Sequence, residues 1–350
     1  MRRQEVSIED IARVAGVSHS TVSRALRGSS LISFEVRERI QKLAHEMGYT
    51  PNAIAQSLQT QQTSTIGLVV TSIADPFWSD VMKGVEEVAR AARFSVFLAA
   101  SHNDPDQEMA IIETLRRRRV DGILIAATRI ASNNNKSLDS FRVPTVLINS
   151  QAESETTLLH WVSVDDLRGA QLAVEHLLQL GHRSISYLGT GNRPRSNRHR
   201  LLGYQSTLAA NNVPIRDEWV VISQDHEASH EGDIAAGQTS LPRLLDAGVT
   251  AIFCYNDMIA TGVLIACRER GIAVPQELSV IGFDDIKMAS YVTPPLTTIQ
   301  QPKIEMGRLA TQVLLDLLHN RPGQNYVLPP ELILRASTAP FLLALATREV

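Results

Sequence analysis

The sequence predicts two fold classes in one chain: an all-α segment over about the first fifty residues, then a two-lobed α/β domain of parallel sheets flanked by helices. Three observations lead there. Apolar residues recur at helical spacing up to Met47, and a short polar stretch follows. From Thr65 onward, short continuous apolar runs alternate with amphipathic helical patterns. Strands that are apolar throughout are covered on both faces, which is the condition of a parallel sheet.

Taken in order, Ser7 stands before Ile8 with Asp10 three residues later, and Ile8, Ile11, Ala12 and Ala15 form one apolar face. That is a capped helix. After Gly16 and Val17, Ser18 opens a second helix carrying Val22, Ala25 and Leu26. Ser33 opens a third with Val36, Ile40, Leu43, Ala44 and Met47, and Gly48-Tyr49-Thr50-Pro51 ends it. Residues 51–64 are polar: the first half has length for two helical turns and the second reads as a linker. Strands are then predicted at 65–70, 95–100, 122–125, 145–148, 184–188, 220–222, 251–254, 279–283 and 297–299. Helical patterns occupy 76–92, 105–118, 165–180, 231–247, 257–270 and 303–319. So many βα units exceed one compact open sheet, so two similar lobes are expected. In such sheets ligands sit beyond the carboxyl ends of the strands, here the cleft between the lobes. The expected organisation is a headpiece at 1–50, a hinge and linker at 51–64, a two-lobed domain at 65–340 and a tail at 341–350.

Composition narrows the classes. With 44% hydrophobic and 20% charged residues the chain resembles ordinary soluble domains. No apolar run approaches the roughly 18 to 20 residues that span a bilayer, and the charged start has no apolar core of a secretory signal. Cys254 and Cys267 lie in apolar surroundings and give no disulfide framework. A cytosolic protein without membrane contact is expected. Net charge is -3, yet residues 1–60 carry eight Arg/Lys against six Asp/Glu. That excess is too small to argue for nucleic acid by itself; the motif must do so.

The motif is Ser7 to Leu26. A helix, the turn Ala15-Gly16-Val17-Ser18 and a second helix beginning His19-Ser20-Thr21-Val22-Ser23-Arg24 spell a helix-turn-helix. Its second helix opens with hydroxyls and long donors, which suits phosphates and base edges. Ser18, His19, Ser20, Thr21, Ser23 and Arg24 are the candidate DNA contacts, and Arg24 has the fork that pairs with guanine O6 and N7.

The runs Ile8-Glu9-Asp10-Ile11-Ala12-Arg13-Val14-Ala15-Gly16-Val17-Ser18, Thr21-Val22-Ser23-Arg24 and Gly48-Tyr49-Thr50-Pro51-Asn52 resemble the headpiece of the lactose-repressor (LacI/GalR) family. The resemblance continues through Arg119-Val120-Asp121-Gly122, Leu180-Gly181-His182-Arg183, Ile281-Gly282-Phe283-Asp284-Asp285 and Pro295-Leu296-Thr297-Thr298-Ile299, to about residue 340. It implies a periplasmic-binding-protein-like sensor and a homodimer on a pseudo-palindromic operator. It also implies a hinge helix over Asn52–Leu58, with Asn52 among the DNA contacts and Leu58 as a wedge in the minor groove. The tail is too short for the heptads of a four-chain assembly.

For the effector, the resemblance points to Phe77 and Trp78 as aromatic contacts and to Arg200 as the arginine reaching from the second lobe. Asn256 and Asp284 lie at carboxyl ends of predicted strands, and an acid there accepts from a sugar diol. Asn149 and His226 follow strands in the same way. Arg193, Arg195 and Arg198 near Arg200 hint at an anionic group on the effector. A sugar or sugar derivative is the expected class.

Other signals are discounted. His226 and His230 have helical ligand spacing without a third ligand, so no metal is expected. Gly189-Thr190-Gly191 lacks a dinucleotide fingerprint, so no cofactor is expected. The basic run Arg116–Arg119 complements a helix end. Two other functions remain open on sequence: a solute-binding protein with the same two lobes, and an α/β enzyme using Asp284 and His226 as acid and base.

Overall fold

The computed structural model describes residues 6–50, 62–126, 143–150, 159–223 and 230–341. The chain forms two compact units, Met1–Thr63 and Ser64–Val350.

Among its described residues the first unit has three helices: α1 (Ile8–Ala15), α2 (His19–Leu26) and α3 (Phe34–Glu46). The Ser7 hydroxyl accepts from the Asp10 amide, and the Asp10 carboxylate accepts from the Ser7 amide, so two otherwise unpaired donors are satisfied reciprocally. Gly16 ends α1 in the left-handed conformation (φ 69°), which glycine adopts without a Cβ penalty. Arg39 of α3 donates to the Ala15 carbonyl at 2.6 Å and closes the same helix end from outside. Ile11, Ala15, Val22, Ala25, Ile40 and Ala44 form the small core. Ser33 occupies the N-cap of α3, but its hydroxyl makes no capping bond.

The second unit has two six-stranded sheets. Lobe 1 contains β1 (Thr65–Val70), β2 (Ser95–Ala100), β3 (Gly122–Ala126), β4 (Thr145–Ile148), β5 (His160–Val164) and β11 (Tyr326–Leu328), in the order β11-β5-β4-β3-β1-β2, with every pair parallel. Among the described residues its helices are α4 (Pro76–Ala91), α5 (Pro105–Arg117) and the late α10 (Lys303–Leu318). Lobe 2 contains β6 (Ile185–Thr190), β7 (Val220–Ser223), β8 (Ala251–Cys254), β9 (Ser279–Asp284), β10 (Thr297–Gln300) and β12 (Glu331–Ile333). These run in the order β12-β10-β9-β8-β6-β7, parallel except for β10 with β12. Helices α6 (Asp166–Gln179), α7 (Pro194–Ala210), α8 (His230–Asp246) and α9 (Asp257–Glu269) cover it.

The chain therefore crosses between lobes after β5, after β10 and between β11 and β12. Each sheet is completed by residues distant in sequence. Strands β5, β11 and β12 were not anticipated. The last two have three residues each, too few to show a period, and they form because β5 and β10 offer open edges.

Both lobes contain helix pairs in close backbone contact. A Cβ on Gly84 of α4 would lie 2.0 Å from the Ile304 carbonyl oxygen, and one on Gly307 of α10 would lie 2.1 Å from that of Val81. In lobe 2, Gly237 of α8 and Gly262 of α9 meet in the same way, at 2.2 Å from the Ile259 oxygen and 2.0 Å from the Ile234 oxygen. Cys254 and Cys267 are both buried, and burial raises both thiols above their ordinary range. Among the described residues, no helix is long and apolar enough to cross a membrane.

Candidate nucleic-acid interface and effector cleft

The first turn of α2 presents its polar side chains outward. Ser18, at its N-cap, accepts from the Thr21 amide at 3.2 Å, and its hydroxyl also lies 2.9 Å from those of Ser20 and Thr21. Ser18, His19, Ser20 and Arg24 are exposed, while Thr21 and Ser23 are half-buried. The helix turns Val22 and Ala25 into the core, which leaves the opposite face for a partner. Ser23 is less available than its spacing suggested: Arg27 donates to its hydroxyl at 3.0 Å and to its carbonyl at 3.1 Å. Arg27, exposed beside this face, was missed by the sequence reading, because it falls at the C-terminal cap and outside the first-turn pattern. Asn52 and Leu58 lie outside the described residues.

The cleft candidates gather at the carboxyl ends of the lobe 2 strands. Arg200 of α7 is 1% exposed, an environment that an arginine tolerates only when paired. Its Nε donates to Asp166 Oδ1 at 2.8 Å and its Nη1 to the Tyr255 carbonyl at 2.5 Å. Asp284 Oδ1 lies 3.7 Å from Nη1. The guanidinium packs over the rings of Phe283 (3.6 Å) and Tyr255 (4.3 Å), so it is held on both its edge and its face.

Asp284 ends β9 at φ 112°, a backbone angle that L-residues rarely adopt. The buried Lys303 ammonium donates to the carbonyls of Asp284 and Asp285, holding that backbone in place. Gln301 donates to Asp284 Oδ1 at 2.6 Å, while Gln301 Oε1 is buried with no hydrogen-bond partner. Burial pushes the Asp284 carboxyl up to about 6, against the opposing pull of Arg200 and Lys303. Gln301 was not singled out from sequence, since one amide after a strand carries no pattern.

Asn256 has both polar ends engaged in this structure. Its Oδ1 caps α9 by accepting from the Ile259 amide at 2.9 Å, and its Nδ2 donates to Asp233 Oδ2 at 2.6 Å. Asn149 follows β4 in the left-handed region (φ 52°) and is half-buried. Phe77 and Trp78 are buried in an apolar cluster that also contains Met258 and Ile286 from lobe 2, and their rings meet edge to face at 4.8 Å. Trp78 donates its indole N–H to Thr71 at 2.9 Å, so packing already accounts for it. His226 lies outside the described residues. Of the arginines read as an anion signal, Arg193 and Arg200 are matched by carboxylates, Arg193 by Asp75 and Asp233. No group of three or more possible metal ligands occurs among the described residues.

A helix-turn-helix reader and a two-lobed ligand-binding fold in one chain define a regulator class. The comparisons agree. Residues 7–52 match the family described as bacterial regulatory proteins, lacI family, and residues 174–338 match the periplasmic binding protein-like domain. The ribose operon repressor of Haemophilus influenzae is 35% identical over 338 residues, covering 95% of this chain and 98% of the relative. The crystal structure of the lac repressor dimer bound to operator and the anti-inducer ONPF superposes with a TM-score of 0.82 at 28% identity, covering 96% of this chain and all of that one. A LacI family regulator from Enterococcus faecium with bound ribose gives 0.69 at 33% identity, covering 79% of this chain and all of that one. The chain belongs to the lacI family. It is a DNA-binding transcriptional regulator with a small-molecule sensor, and its relatives are regulators rather than enzymes.

Proposed function

We propose that this chain is a cytoplasmic, homodimeric repressor of a pseudo-palindromic operator, controlled by an uncharged sugar bound between its lobes. The observation that supports this most is the pairing of the cleft arginines. Arg193 and Arg200 are already matched by Asp75, Asp233, Asp166 and Asp284. An anionic effector would have to compete with those carboxylates, whereas a polyol supplies the donors that Asp284 and the Gln301 oxygen accept. The bound ribose in the Enterococcus faecium structure and the ribose operon repressor among the relatives favour the same class.

In this reading Arg200, Asp284 and Asn256 take the sugar from lobe 2, with Asn149, Phe77, Trp78 and His226 around it. Ser18, His19, Ser20, Thr21, Ser23 and Arg24 face the DNA. The segment 51–64 joins reader to sensor, with Asn52 among the DNA contacts and Leu58 at the operator centre.

Operator sequences selected from random duplexes, combined with a thermal-shift panel of pentoses, hexoses and purines, test the reading. A sugar that raises Tm and changes operator Kd without being consumed supports it; a purine hit, or turnover of the sugar, overturns the sugar assignment. With that operator and sugar, Leu58→Ala weakens DNA binding and leaves sugar affinity unchanged, while Asp284→Ala does the reverse.

A further inference from the structure

We propose that Arg193 is a positioning residue that latches the two lobes together before any effector arrives. It precedes α7 in lobe 2, at the N-cap position, yet its guanidinium reaches both lobes. Nη2 donates to Asp75 Oδ2 at 2.9 Å and Nη1 to Asp233 Oδ2 at 3.3 Å. Asp75 belongs to lobe 1. Its other oxygen accepts from the Phe77 amide at 3.0 Å and so caps α4. Asp233 sits in the first turn of α8 and also accepts from Asn256, which caps α9.

One guanidinium therefore joins carboxylates held at helix starts in opposite lobes. Arg193, Asp75 and Asp233 side chains are 19%, 12% and 7% exposed, unlike the half-exposed surface pairs elsewhere. Water and salt screen such a pair less, and separating it leaves partly buried charges without partners. Burial works against the charged Arg193, but Asp233 and Asp75 more than offset it and raise its affinity for its proton. Arg200 offers no such bridge, since its bonds to Asp166 and the Tyr255 carbonyl lie within lobe 2.

The latch makes a closed arrangement available to the ligand-free sensor, so effector affinity depends on Arg193 even where the effector does not touch it. That consequence rests on the effector-cleft reading. The latch is tested without ligand, so either idea can fail alone.

The experiment is amide hydrogen exchange, read by mass spectrometry, on the full-length ligand-free protein. Asp75→Asn keeps an oxygen to cap α4 and removes the charge; Arg193→Gln removes the cation. Each should speed exchange of peptides spanning 71–82 and 189–200 by roughly three- to tenfold, with the double variant no faster than either single. Peptides in α6 should not change, and Arg193→Lys should recover part of the protection. Unchanged exchange in Asp75→Asn, additive effects in the double variant, or equal acceleration in α6 would overturn the latch.

Discussion

The candidate recognition helix and the candidate effector cleft use the same kinds of side chain in opposite ways. On α2, Ser18, His19, Ser20 and Arg24 stand exposed on a helix whose other face is core. In the cleft, Arg200, Asp166, Asp233 and Asn256 are buried and already bonded to one another. An exposed side chain costs little to leave unpaired, so the reader can wait for DNA with its donors solvated. A buried charge cannot, so these cleft side chains are pre-organised by their own ion pairs, and a ligand bound there would have to fit among them. The difference predicts that substitutions in the reader change specificity at little cost to stability, while those in the cleft disturb both.

The largest effect tests that contrast directly. Arg200→Ala leaves Asp166 and Asp284 without their buried partner and should cost about 3–5 kcal/mol in urea unfolding, together with loss of the effector response. A loss below about 1 kcal/mol would mean that water enters the site freely.

Next is the reader. Arg24→Ala should weaken operator binding by roughly 1–3 kcal/mol at one base position per half-site, with unfolding changed by less than about 0.5 kcal/mol. An equal loss on every sequence would reassign Arg24 to a phosphate.

The cleft should respond to pH near neutrality. Because burial raises the folded Asp284 carboxyl to about 6, its contribution to stability is full below the ordinary carboxyl range and is lost as pH rises through about 6. Asp284→Asn should therefore gain stability relative to the parent between pH 4 and 7 (values bracketing that shift). Effector affinity should run the other way, falling as pH drops below about 6 and the carboxyl gives up an acceptor. Calorimetric titration of the identified sugar at several pH values checks this, and a flat profile refutes it.

Smallest is the outer surface. Arg116→Ala removes a half-exposed pair with Glu113 at 3.2 Å and should shift stability by no more than about 0.5 kcal/mol. A larger change would show that the basic end of α5 does more than remain solvated.

How much of this could be read from sequence depended on the distance between the residues involved. The headpiece was legible because its determinants are local: Ser7 with Asp10, Gly16 at the turn, Ser18 with Thr21 and one apolar face per helix. Strands of four or more apolar residues were legible for the same reason. Arg200 and Asp284 came from motif and strand-end position, and they do meet at 3.7 Å. Their partners were not foreseen. Asp166, within the helical pattern 165–180, was not singled out, and Trp78 was read as a ring beside a cleft although its indole N–H is taken by Thr71.

By itself, then, the sequence determined a helix-turn-helix reader followed by alternating strands and helices, because periodicity, caps and turn residues act over three or four positions. Tertiary structure decided which lobe each late element joins and which charges neutralise which. Arg193 and Asp75 are 118 positions apart, and Arg308 of α10 reaches Glu87 of α4 across 221. No local period encodes such pairings. They exist because the chain crosses between the lobes three times and packs distant segments together: at Arg193 burial requires the charge to find a partner, while the exposed Arg308–Glu87 pair follows from the packing of α10 against α4.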